Sequence, residues 1–161
     1  MTNELSIAWR DQAPVLTRDQ AEPSALGQLE VNVIFTDSRA TAWAFKAAMT
    51  LAADLDARIR VRAAIAVPFC LPLDRPQVSV SFTEKVLSQL VSEAGPNDLD
   101  VTIDLYLSRD RIETLSQVLH RNSLVVIAGR KRPWPTAESR IAKRLQSQGH
   151  RVLLIPFRSG N

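Results

Sequence analysis

The chain has 161 residues, 45% hydrophobic and 23% charged, a balance that suits one globular domain with a sizeable core. No apolar run approaches the roughly 20 residues of a membrane helix, no basic start followed by an apolar stretch marks a secretory signal, and the single cysteine, Cys70, excludes an internal disulfide, so the expected setting is the cytoplasm, away from membranes. The net charge of +3 is mild but gathered: Arg130, Lys131, Arg132, Arg140, Lys143, Arg144 and Arg151 stand against Glu138 alone, as either a solvated helix face or a patch for an anion.

Residues 1–28 show no sustained period and are expected to form an irregular arm, with "SIAW" as either a short strand or a place where Trp9 docks. Regular patterning begins at residue 30. "VNVIFT" is rich in β-branched and aromatic residues, as a buried strand should be. Asp37 or Ser38 can cap the alanine-rich helix that follows, in which Trp43, Ala47 and Leu51 fall at helical spacing, as do Ala44, Ala48 and Leu55. "RIRVRAAIAV" alternates at first and then turns apolar, a strand with one end more exposed than the other.

"PFCLPLDRPQ" carries three prolines and reads as a loop. A second helix follows, with Phe82, Val86 and Leu90 on one stripe, Leu87 and Val91 beside it, and Gly95 as its C-terminal cap. "LDVTIDLYL" is a third strand, and "RDRIETLSQVLHR" a short helix with Ile112, Leu115 and Leu119 inward. "SLVVIAG" is a fourth strand, "TAESRIAKRLQSQG" a helix capped by Thr136 and closed by Gly149, and "RVLLIPF" the last strand. Strict alternation of strands and helices predicts an α/β fold, a doubly wound five-stranded parallel sheet with helices on both faces. Ligands of such sheets sit beyond the carboxyl ends of the strands, where the winding reverses.

Three stretches, "VIFTDSRATAWAFKAAMTLA", "SLVVIAGRK" and "SRIAKRLQSQGHRVLLIPF", together resemble the universal stress protein family over about residues 30–157. The resemblance implies a domain over residues 29–158. It implies a homodimer through the C-terminal edge strand and, in some members, ATP held by G-x-x-G-x(9)-G-[ST] after the fourth strand. Carried over, Asp37 matches the acid of the first loop, Val67 the backbone contact after the second strand, Gly129 the first glycine and Ser139 the terminal serine.

The departures fall on the phosphate loop. Arg132 stands where the second glycine should be, Ser139 lies ten positions after Gly129 where the pattern has fourteen, and Glu138 precedes it in place of glycine. A phosphate cradle aims backbone N–H groups at the anion, whereas Pro133 and Pro135 have none. The cradle is therefore expected to be degraded, with no cofactor. Alternatively, Arg130, Lys131 and Arg132, with Arg39, could hold an adenine nucleotide or other anion through their side chains. Trp134 either stacks on a base or closes its loop onto the body.

No catalytic or metal-ligating constellation is recognisable: there is no G-x-S-x-G, HExxH or CxxC, and His120 and His150 are far apart in sequence. The expected function is a stress-response regulatory or interaction module with an unknown protein partner, not an enzyme. The apolar "RVLLIPF" edge is expected to pair across a two-fold axis near Val152, Leu154 and Pro156, unless the N-terminal arm covers it. Nucleic acid is an unexpected partner, since no segment interleaves basic and aromatic residues.

Overall fold

The computed structural model describes residues 6–10, 29–73, 75–77, 79–93, 99–130 and 134–157. The elements run β1 (Ser6–Arg10), β2 (Glu30–Ile34), α1 (Ser38–Leu55), β3 (Arg58–Ala66), α2 (Val80–Glu93), β4 (Val101–Ser108), α3 (Arg111–Val118), β5 (Leu124–Arg130), α4 (Ala137–Ser147) and β6 (Arg151–Phe157). All strand pairs are parallel, in the order β1-β4-β3-β2-β5-β6. Strands β2 to β6 and the four helices form the doubly wound sheet expected from the alternating pattern. No helix among the described residues is long and apolar enough to cross a membrane.

Within residues 1–28, "SIAW" takes the first of its two expected forms, a short strand. Ser6–Arg10 adds a sixth strand to the outer edge of β4, with Ser6 beside Thr102 and Arg10 beside Tyr106. It lies at the opposite edge from β6, so this part of the arm does not cover the C-terminal edge strand. The other residues of 1–28, and Gly95, lie outside the described residues.

The helices sort by crossover direction. α1 and α2 pack on one face over Val33, Phe45, Val61, Leu87, Ile103 and Val126; α3 and α4 pack on the other over Ile34, Leu115, Val125, Ile127, Ile141 and Leu145. α1 approaches closely because its inward face is mostly alanine: Ala40, Ala44, Ala48 and Ala52, with Thr41 and Phe45. Of its larger residues, Phe45 is buried and Met49 and Leu51 pack partly buried against the core. Leu55 is exposed, and Trp43 is exposed with its ring tilted against Phe157 at 6.3 Å. In α2 the inward face is Thr83, Leu87, Leu90 and Val91, so Phe82 points outward instead of inward. Leu87, Leu90 and Val91 lie inward as expected.

The α3/α4 face of the sheet is not apolar throughout. Arg62, in the central strand β3, is 1% exposed. Its Nε donates to Asn32 Oδ1 (2.7 Å), its Nη1 to the Tyr106 hydroxyl (3.0 Å) and its Nη2 to Glu30 Oε1 (3.3 Å). Asp104 Oδ2 lies 3.5 Å from Arg62 Nη1, and Arg60 Nε lies 3.4 Å from Glu30 and 3.6 Å from Asp104. Alternation places these side chains on the same face as Ile34 and Ala64.

Breaking a buried ion pair on one side leaves the other charge unmatched, at a cost of about 3–5 kcal/mol. Arg62→Met strips the central cation from both Glu30 and Asp104. Urea unfolding should show a loss of that order, with an unchanged slope against denaturant. A loss below about 1 kcal/mol would mean that Arg60 alone neutralises the cluster.

Candidate functional site at the carboxyl end of the sheet

β2 pairs with β3 on one side and β5 on the other, and its helix leaves towards the opposite face from α4. The crevice between the ends of β2 and β5 is therefore the switch point at which α/β sheets take ligands. Asp37 and Gly129 stand at its two sides. The loop after β3, with Val67, and the first turn of α4, with Ser139, complete the set expected from the resemblance.

Each of these groups is engaged within the chain. Asp37 is the N-cap of α1: its Oδ1 accepts from the Ala40 N–H at 2.9 Å. The Val67 N–H donates to the Ser108 carbonyl (2.8 Å), and its own carbonyl accepts from Arg109 Nη1 (3.0 Å). Thr136 caps α4 by accepting from the Ser139 N–H (3.2 Å), and Ser139 Oγ donates back to the Thr136 carbonyl (2.9 Å). The donors and acceptors that would meet a nucleotide here terminate helices or tie loops instead.

Gly129 has a packing reason to be glycine. A Cβ built on it would lie 3.0 Å from Glu138 Cβ and 3.5 Å from Glu138 Cγ and from Leu154 Cδ1. Glu138, in the first turn of α4, thus lies directly against Gly129. Its carboxylate also acts on Arg111, the first residue of α3. Arg111 Nη2 donates to the Phe35 carbonyl at the end of β2 (3.1 Å), while its buried Nε has no hydrogen-bond partner. Burial disfavours the Arg111 charge, and Glu138 partly offsets that. A carboxylate and a guanidinium of the chain itself thus act on each other beside the ends of β2 and β5.

Arg130 ends β5 and is exposed, so its side chain is open to an anion. Arg132, Lys131 and Pro133 lie outside the described residues. Trp134 is 79% exposed and is not folded onto the body. Cys70 is free and exposed, His120 is exposed, and His150 is buried just before β6, where desolvation lowers its pKa and keeps the imidazole neutral. Among the described residues no group of three His, Cys, Asp or Glu side chains could hold a metal ion.

Sequence reasoning missed Arg109 and Arg111. Arg109 is the anchor of the loop after β3: it donates to the carbonyls of Val67, Pro68 and Leu71 (2.9 Å for Leu71) and lies 5.3 Å over the Phe69 ring. The available signal was position alone, two arginines following the end of a strand on the ligand side of an α/β sheet.

These features define an α/β protein with a doubly wound parallel sheet whose carboxyl-end loops are tied by the chain's own side chains. No protein-family model matches the chain, and no curated protein sequence matches it. Among solved structures it is similar to a universal stress protein in complex with cAMP, at 15% identity and a TM-score of 0.47, over 82% of this chain and 100% of that one. It is also similar to universal stress protein UspA from Lactobacillus plantarum, at 14% identity and a TM-score of 0.43, over 80% of this chain and 99% of that one. A macrolide-efflux protein from Streptococcus pneumoniae aligns with 98% of the chain at 13% identity and a TM-score of 0.52, and the chain spans 52% of that protein's length.

The contact at Gly129 can be tested by double-mutant cycle. Gly129→Ala should destabilise by about 1–3 kcal/mol, as overpacking does, and Glu138→Gly should abolish most of that penalty. Additive losses in chemical unfolding would show that Glu138 does not set the fit.

Proposed function

We propose that the chain is a non-catalytic regulatory or interaction module of universal stress protein type. Its crevice for a nucleotide is filled by its own side chains. The observation that carries this reading is Glu138 seated against Gly129 beside Arg111. A triphosphate placed there would displace a carboxylate, meet its charge and find the Ser139 N–H already used by Thr136. Calorimetry with ATP and magnesium should give no tight binding. Tight, magnesium-dependent ATP binding that survives Arg130→Ala would overturn the reading.

The second reading is an arginine-based site for an adenine nucleotide or another anion. Arg111 favours it, because a buried guanidinium nitrogen without a partner is a donor in wait. On that reading Arg130 and Arg132 supply the outer contacts, and binding falls with salt. The same titration, repeated at low and moderate ionic strength, separates the two readings.

The module acts as a homodimer. Leu153 and Leu154 of β6 are 39% and 46% exposed, one on each face of a strand whose outer edge meets no described strand. Both features favour pairing with a second copy. The contact falls near Val152, Leu154 and Pro156. Sedimentation velocity should give a dimer for the full chain and a monomer for Leu153→Lys/Leu154→Lys. A wild-type monomer at all concentrations would remove the dimer. The proposed setting is the cytoplasm, with a protein partner and a part in stress response.

A further inference from the structure

We infer that the loops at the carboxyl end of the sheet form a binding surface for single-stranded nucleic acid. This goes beyond the module reading and its protein partner by naming a second class of partner.

The first observation is where the exposed aromatics stand. Phe69 is 86% exposed, Trp134 79% and Phe82 62%, the three most exposed large apolar side chains among the described residues. Phe69 lies in the loop after β3, Phe82 in the first turn of α2 and Trp134 in the loop before α4, so the parallel topology brings all three to one end. Of the other described aromatic rings, Phe45, Tyr106 and Phe157 are buried, and Trp43 on α1 is exposed but tilted against Phe157.

The second observation is that Phe69 is held in its exposed position. Arg109 ties three carbonyls of its loop and lies 5.3 Å over one face of the ring. A ring so exposed has its other face open to solvent. Holding it in place beforehand lowers the entropic cost of binding. The geometry suits stacking of a planar group, with a guanidinium behind it.

The third observation is charge. Arg39, Arg75, Arg130 and Arg140 are exposed on the same loops and first helical turns, and none forms an ion pair with a described carboxylate. The acids nearby are otherwise placed. Asp37 and Asp110 accept from helix N–H groups, Glu138 lies against Gly129 and Arg111, Glu113 in the first turn of α3 accepts from Gln117, and Glu84 stands further along α2.

Flat rings interspersed with guanidinium groups match bases alternating with phosphates. β3 and β5, from which the Phe69 and Trp134 loops rise, are separated by β2, a span of about 10 Å. Two platforms at that separation address more than one nucleotide, which favours a strand over a free mononucleotide. Unpaired bases fit best, because among the described residues no helix or strand ribbon projects from this end to enter a duplex groove.

The test is fluorescence anisotropy with labelled oligothymidylate and oligouridylate of about 15 nucleotides, using the full chain. Binding should occur, with a log–log salt slope of about −2 to −3 for three or four phosphate contacts. Phe69→Ala and Trp134→Ala should each weaken it about tenfold, with unchanged melting because both rings are solvent-exposed. Arg130→Ala should reduce the salt slope by about 0.7. No binding at low salt overturns the inference, and if calorimetry remains silent towards ATP it leaves the module reading standing. Equal affinity for a duplex or for polyglutamate also overturns it, the latter assigning the surface to an acidic protein. So does unchanged affinity in both aromatic variants.

Discussion

The seat of Glu138 on Gly129 governs the carboxyl end of this protein. A side chain at position 129 would push the first turn of α4 away from β5, because its Cβ would meet Glu138 Cβ at 3.0 Å. With glycine there, α4 begins directly over the strand, capped by Thr136. Its carboxylate then lies where Arg111 of α3 can feel it, and Arg111 in turn holds the last carbonyl region of β2 through Phe35. One short contact thus links α3, α4, β2 and β5. It also explains how the crevice tolerates burial of polar groups without a ligand: buried donors and acceptors need partners, and here the chain supplies most of them.

A second polar constraint lies deeper. Arg62 stands in the middle of the sheet with Glu30, Asn32, Asp104 and Tyr106 around its guanidinium. Such a cluster adds little net stability compared with a well-packed apolar core, but it penalises misregistration heavily. A one-residue slip of β3 against β2 or β4 would turn Arg62 to the α1/α2 face, among Val33, Phe45 and Ile103. Register is therefore fixed twice, by the apolar pattern on one face and by ion pairing on the other.

That cluster also marks a limit of reading the sequence. "RIRVR" alternates charged and apolar residues, and alternation ordinarily signals a strand with one wet face. The alternation was real, but Arg62 faces protein, and only partners from β2 and β4 reveal it. The order of strands and helices and the caps at Asp37 and Thr136 were legible because each rests on local periodicity or local hydrogen bonding. Phe82 misled because a large apolar residue outweighed Thr83 in the pattern, though Thr83 is the one that turns inward. The candidate site residues could be assigned to strand and helix ends, but not their bonding. Val67 was recognisable as the end of a strand. That its carbonyl is taken by Arg109, 42 residues away, is a tertiary fact. Gly129 looked like a remnant of a phosphate loop, and its close contact with Glu138 gives it a different physical reason.

Inward satisfaction has an outward consequence. Once Asp37, Val67, Ser139 and Glu138 are committed within the chain, the groups left with unused binding capacity at this end are those that point away from it: the faces of Phe69 and Trp134 and the guanidinium groups of Arg39, Arg75 and Arg130. A ligand buried in the crevice must break existing bonds before it makes new ones. A ligand lying across the loops breaks none and removes apolar surface from water, at about 25 cal/mol per Å². The balance favours surface recognition over enclosure, and it does so through the same Arg109 that closes the Val67 carbonyl and supports the Phe69 ring. In linear sequence these arginines and rings are scattered across the chain, and the parallel winding brings them to one end.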